Sequence, residues 1–110
     1  MKKYYIQDIQ DFKTRKKPFA TITAYDYTSS AICSALEFPL VLVGDSASMV
    51  MFGYDNTTPV AMNEMLLVLK AVVRGNDAAL IVADMPFLSY QPSKRDAVHN
   101  AGRFIKAGAN

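Results

Sequence analysis

The chain has 110 residues, 51% of them hydrophobic, a single cysteine and a formal net charge of +2. That is enough apolar content for one core, and too even a charge balance for electrostatic capture of nucleic acid. Cys33 has no partner for an internal disulfide or a cysteine metal cluster, which fits a reducing, cytoplasmic setting, and no window is long enough and apolar enough to span a membrane.

The opening segment, residues 1 to 10, carries lysines but no apolar core after them, so it is not a secretory leader. Arg15-Lys16-Lys17 is a short solvated face ahead of the first strand. "FATITA", residues 19 to 24, is rich in strand formers. The polar "YDYTSS" that follows can cap a helix carrying Ala31, Ile32, Ala35 and Leu36 at helical spacing, with Cys33 as a small helix residue. "PLVLVGD", residues 39 to 45, has no polar alternation and predicts a strand buried on both faces of a parallel sheet. From Ser46 to Ala61 there is neither helical nor alternating pattern, although Phe52, Tyr54 and the methionines argue for a folded lid over the strand ends. Met62, Met65, Leu66, Leu69, Val72 and Val73 form one helical stripe that Gly75 closes. "ALIVAD", residues 79 to 84, is the third strand. Beyond "MPFLSYQPS" comes a helix on which Ala97, Val98, Ala101, Phe104 and Ile105 share a face, and "KAGAN" leads toward a fourth strand.

Strand and helix alternating at these lengths give a parallel α/β sheet, either doubly wound or part of an eight-fold barrel. An eight-unit barrel takes about 250 residues, so residues 1 to 110 would form only its first three strand-helix units, ending before strand four. Each apolar strand runs into an acid at its carboxyl end: Asp26, Asp45 and Asp84. That edge is where parallel α/β folds build sites. Asp26, just before "YTSS", is best placed to cap the first helix. Asp45 and Asp84 lie between buried strands and irregular loops, and on neighbouring strands about 4.8 Å apart their carboxylates would converge. Such anions raise each other's proton affinity unless a hard divalent cation joins them, and magnesium accepts one or two carboxylates while keeping positions for water and substrate oxygens. Strand-end acids also cap helices or pair with bases. Ser46 offers a hydroxyl and a backbone N–H to an anion, or it caps the turn.

"GDS" at residues 44 to 46, "GND" at 75 to 77 and "DAVH" at 96 to 99 imitate the blocks of GDSL-type serine esterases, with Ser46 and His99 in the nucleophile and base roles. Against this, Asp96 and His99 fall on the polar side of their helix, away from the Val98, Ala101 and Ile105 stripe. Nor does "GDSAS" make the G-x-S-x-G elbow, since Ser48 replaces its last glycine. A non-catalytic binding fragment, with the long loop as its docking surface, is the other alternative.

"TITAYDY" (21 to 27), "LVGDS" (42 to 46), "GYDNTTPV" (53 to 60), "VRG" (73 to 75), "VADMPF" (82 to 87) and "AGAN" (107 to 110), in this order, resemble the opening of the ketopantoate hydroxymethyltransferase family. The resemblance implies a (β/α)8 barrel that transfers a one-carbon unit from 5,10-methylenetetrahydrofolate to 3-methyl-2-oxobutanoate, forming ketopantoate on the way to pantothenate and coenzyme A. It implies Asp45 and Asp84 as magnesium ligands, and Asp45, Ser46 and Asp84 as contacts to the oxo acid. A 2-oxo acid can chelate magnesium, which as a Lewis acid stabilises the enolate that attacks the methylene carbon; the lid, residues 47 to 59, would exclude water. The resemblance further implies that the general base, a lysine and a third metal-linked acid lie beyond Asn110, that folate contacts cannot be placed, and that the whole protein is a homo-oligomer such as a decamer. On this reading the chain is an amino-terminal fragment with half a site, inactive alone, and its two unpaired sheet edges favour aggregation. Two departures stand out: Ser48 where the family usually has glycine, and "EFPL" in place of an Ala-Gly turn.

Overall fold

A computed structural model describes residues 2 to 110 as a three-stranded parallel sheet with helices. In chain order the elements are α1 (Ile6–Thr14), β1 (Thr21–Thr23), α2 (Tyr27–Ala35), β2 (Leu40–Val43), α3 (Ala47–Val50), α4 (Met62–Gly75), β3 (Leu80–Ala83) and α5 (Lys94–Lys106). The strands lie in the order β1-β2-β3, with Ile22 opposite Val41 and Val41 opposite Ile81. β2 is central because its residues can be covered from both sides: Val41 and Val43 are fully buried, while Leu40 and Leu42 on the other face are half-buried. β1, at an edge, is exposed along its whole length.

α4 is the helix the sequence describes best. Met65, Leu66, Leu69 and Val72 are buried, Met62 and Val73 pack against them, and Val68 joins the same core, whereas Asn63, Lys70 and Arg74 are exposed. α2 packs on α4 in a way that its apolar spacing does not indicate. Ile32 and Leu36 face outward, and the buried face consists of Ser30, Cys33 and Ser34. The cause is proximity. The Ser30 hydroxyl donates to the Val72 carbonyl at 2.6 Å, and Gly75 lies so close that a Cβ there would meet the Tyr27 carbonyl oxygen at 2.6 Å and Ser30 Cβ at 3.1 Å. Leucine-sized side chains cannot enter such a seam. Cys33 is buried in the same face, which pushes its thiol up from the ordinary range and matches a packing role rather than a nucleophile's.

Gly75→Ala is therefore expected to destabilise the fold by about 2 kcal/mol, because overpacking against backbone outweighs the gain of up to about 1 kcal/mol that alanine brings to a helix. Urea unfolding measures this; an unchanged midpoint would mean that α2 yields without cost.

Two further expectations are corrected, and one helix, α1, lies where none was expected. The segment from 46 to 61 contains a helix, α3, though of only four residues. α1 was not foreseen: its Asp8 carboxylate accepts from the Tyr5 backbone N–H at 2.8 Å, and Phe12 stacks on Phe19 at 4.8 Å. On α5 the inner side is Ala97, Asn100, Ala101 and Phe104, whereas Val98 and Ile105 are exposed, so the stripe is rotated from the one the apolar residues suggest. At the end of the chain, the Asn110 N–H donates to the Ile81 carbonyl and Ile81 N–H donates to Asn110 Oδ1, both at 2.9 Å. Asn110 thus bonds to the outer edge of β3. Among the described residues no helix is long and apolar enough to cross a membrane.

Candidate functional site

The carboxyl ends of β2 and β3 carry the candidate site. Val43 and Ala83 are register partners, so Gly44-Asp45 and Asp84 leave the sheet side by side, and the Asp84 backbone N–H donates to the Val43 carbonyl at 3.0 Å. At that point the ladder turns into a side-chain contact: Asp84 Oδ2 accepts from the Asp45 backbone N–H at 3.1 Å. The two acids line one cavity of about 400 Å3 together with Ala83, Met85 and Tyr90. Partial burial, and next to it the negative charge of Asp84, hold the Asp45 carboxyl above the usual carboxylate range. Sequence reasoning expected this convergence, and the structure brings the pair together.

Two hard oxygen donors at adjacent strand ends fit a cation that takes one or two carboxylates and completes its shell with water and ligand oxygens. Among the described residues no group of three or more His, Cys, Asp or Glu side chains comes together, so a cation held entirely by these residues does not fit. Ser46 is exposed and stands at the N-cap position of α3, where its side chain makes no capping bond, so its hydroxyl is not committed to the turn. Asp26 has the structural role expected of it: its Oδ1 accepts from the Ser29 N–H at 2.7 Å as the N-cap of α2.

The loop between β2 and α4 is tied down at both ends. The Tyr54 N–H donates to the Ser48 carbonyl at 2.9 Å, and the Tyr54 hydroxyl donates to Glu64 Oε2 at 2.8 Å, while Glu64 Oε1 also accepts from the Ala61 N–H at the start of α4. That pairing holds the phenol above its ordinary range.

His99 stands elsewhere. It is exposed on α5 and lines a separate cavity with Val98, Gly102, Arg103 and Lys106, and no hydrogen bond links it to Ser46 among the described residues. "GND" proves to be structural. Asn76 is buried, its Oδ1 accepts from the N–H groups of Ala78 and Ala79 at 3.1 and 2.8 Å, and its Nδ2 donates to the Ser30 carbonyl at 3.3 Å. A slightly larger cavity, about 450 Å3, lies at the opposite end of the sheet between α1, Phe19 and Leu80. Its lining is mainly apolar and holds no acid. Residue chemistry, not volume, therefore selects the Asp45–Asp84 cavity. Sequence reasoning missed Met85 and Tyr90 as its other walls; the available signal was an aromatic residue in a loop leaving a strand end.

Acids at the carboxyl ends of neighbouring parallel strands, beside a long tethered loop, define an α/β protein with a strand-end site. Comparison narrows that class: the chain belongs to the ketopantoate hydroxymethyltransferase family, whose sequence model matches residues 3–110. It is 50% identical over 105 residues to the 3-methyl-2-oxobutanoate hydroxymethyltransferase of Nitrosopumilus maritimus, covering 96% of this chain and 38% of the relative. The protein of the same name from Moorella thermoacetica is 52% identical over 103 residues, covering 94% and 38%; that from Carboxydothermus hydrogenoformans is 48% identical over 108 residues, covering 98% and 39%. The chain thus spans under two fifths of the length of these relatives.

Proposed function

We propose that this chain supplies part of the active site of a hydroxymethyltransferase, which moves a one-carbon unit from 5,10-methylenetetrahydrofolate to 3-methyl-2-oxobutanoate and forms ketopantoate for pantothenate synthesis. The observation that carries the reading is the meeting of Asp84 Oδ2 with the Asp45 N–H in a cavity at the ends of β2 and β3. The three parallel strands are, on this reading, consecutive strands of a (β/α)8 barrel, in which that edge is the reacting face.

Asp45 and Asp84 would hold magnesium, and Ser46 would bind the carboxylate of the oxo acid through its free hydroxyl. Bound there, magnesium supplies positive charge beside the 2-oxo group, which makes the C3 proton acidic enough to remove. Asp45 can serve as a ligand only when ionised, and burial and the charge of Asp84 raise its proton affinity, so cation binding should tighten as pH rises through its pKa. The tethered loop from 46 to 61 would keep water away from the reacting carbon. No side chain of the cavity is a suitable base for C3, and the base is assigned to a segment of the full-length protein outside residues 1 to 110. Folate binding and a homo-oligomeric assembly such as a decamer come into this reading from the family, whereas a cytoplasmic setting is proposed from the lone Cys33.

C3 deuterium exchange tests it. The full-length protein should exchange the C3 proton of 3-methyl-2-oxobutanoate in heavy water with magnesium present, and not after chelation. Absence of exchange under both conditions, or ester cleavage that depends on Ser46, overturns the proposal.

A further inference from the structure

Of the residues lining the Asp45–Asp84 cavity, only Tyr90 combines a large ring with exposure, at 47%. Its hydroxyl makes no hydrogen bond among the described residues, although Tyr54, the tyrosine of the preceding strand-end loop, is bonded to Glu64. Phe87 and Leu88, neighbours in the same loop, are also exposed but do not line the cavity. The loop is built to present residue 90 and not them.

Several contacts fix that presentation. Ser89 is buried, and both its N–H and its hydroxyl donate to the Pro86 carbonyl, at 3.0 and 2.6 Å. From the other side Asn100 Nδ2, on α5, donates to the Ser89 carbonyl at 2.6 Å, and Arg103 Nη1 holds Asn100 Oδ1 at 3.2 Å. Leu88 sits in the left-handed region at φ +67°, with its N–H bonded to Gln91 Oε1 at 2.7 Å. A branched residue keeps that conformation only where its surroundings impose it. Tyr90 therefore leaves a clamped backbone at the rim of the cavity.

We propose that Tyr90, with Met85 beside it, is the specificity-determining wall of the site. This rests on the oxo-acid reading above. If the oxygens of the acid engage the carboxylate side of the cavity through a cation, its alkyl end is left against Ala83, Met85 and Tyr90. A branched alkyl group covers the face of the tyrosine ring, whereas a bare methyl group covers little of it, so the ring favours branched over unbranched 2-oxo acids.

Isothermal titration of the full-length protein at saturating magnesium, with 3-methyl-2-oxobutanoate and with pyruvate, provides the test. Wild type should prefer the branched acid. Tyr90→Ala should weaken binding of the branched acid about tenfold and of pyruvate less than twofold, collapsing the preference. Tyr90→Phe should keep it within about twofold, and magnesium affinity without the acid should not change in either variant. Equal losses for both acids, no loss for either, or a phenylalanine variant as impaired as alanine overturns the assignment to the ring. If wild-type protein binds neither acid in the presence of magnesium, the oxo-acid reading itself fails, an outcome distinct from failure of Tyr90 alone.

Discussion

Asp84→Asn in the full-length protein is expected to lower magnesium-dependent turnover about a thousandfold while leaving the fold intact. Asparagine has the shape of aspartate and still presents a carbonyl oxygen to the Asp45 N–H, so the 3.1 Å bond between the strand ends can persist. What disappears is one of the two negative charges proposed to hold the cation. A metal ion's charge stabilisation amounts to several kcal/mol, and about 1.4 kcal/mol corresponds to a factor of ten in rate. Magnesium titration and steady-state kinetics measure the loss; unchanged metal affinity and rate would remove Asp84 from the site.

The same substitution should act in the opposite direction on stability without metal. Burial first, and Asp84 next, raise the proton affinity of Asp45 in the folded state. An acid whose folded pKa is raised binds protons more tightly folded than unfolded, so it imposes no penalty below its unfolded pKa, and a penalty that grows as pH rises through the folded one. Asp84→Asn removes the part of that penalty owed to Asp84. The variant should therefore be slightly more stable than wild type at neutral pH with a chelator present, and the difference should vanish in acid.

Asn76→Ala is expected to destabilise the protein by about 3 kcal/mol without altering the activity of the folded fraction. The Asn76 amide serves three buried backbone groups: the N–H of Ala78, the N–H of Ala79 and the carbonyl of Ser30. Each buried polar group left without a partner costs about 1 to 3 kcal/mol, and water entering the gap lowers the total below the simple sum. Asn76→Asp keeps the acceptor for both N–H groups but turns an oxygen toward the Ser30 carbonyl, so it should fall between wild type and alanine. Urea unfolding ranks the three proteins, and a loss under about 1 kcal/mol for alanine would show that the bracket is dispensable.

How far the sequence revealed the fold depended on which force decided each element. Burial decides β2, β3 and α4, and there the apolar pattern is the structure: "LVLV" and "LIVA" are strands, and the stripe from Met65 to Val72 faces the core. The strand-end acids were legible for the same reason, because the place where an apolar run stops marks the sheet edge. Close approach decides α2, and pattern fails there. Ser30 and Gly75 let two backbones come together, so small residues are buried and Ile32 and Leu36 are not. Asn76 was hidden in a similar way. Its value lies in backbone groups that converge from α2 and from the start of β3, and no local spacing announces such a meeting. Tyr90 was visible only as one aromatic residue in a loop; its place became apparent once Ser89 and Leu88 were seen to fix the backbone beside it.

The bond from the Asp45 amide to the Asp84 carboxylate has one more consequence. A cation-binding pocket whose acidic walls repel tends to splay when the ion leaves, and must be gathered again at an entropic cost. Here one wall is stapled to the backbone of the other through a neutral donor, which gives repulsion little room to open the strand ends. If the cavity takes the proposed cation, loading and unloading would proceed on a preset frame.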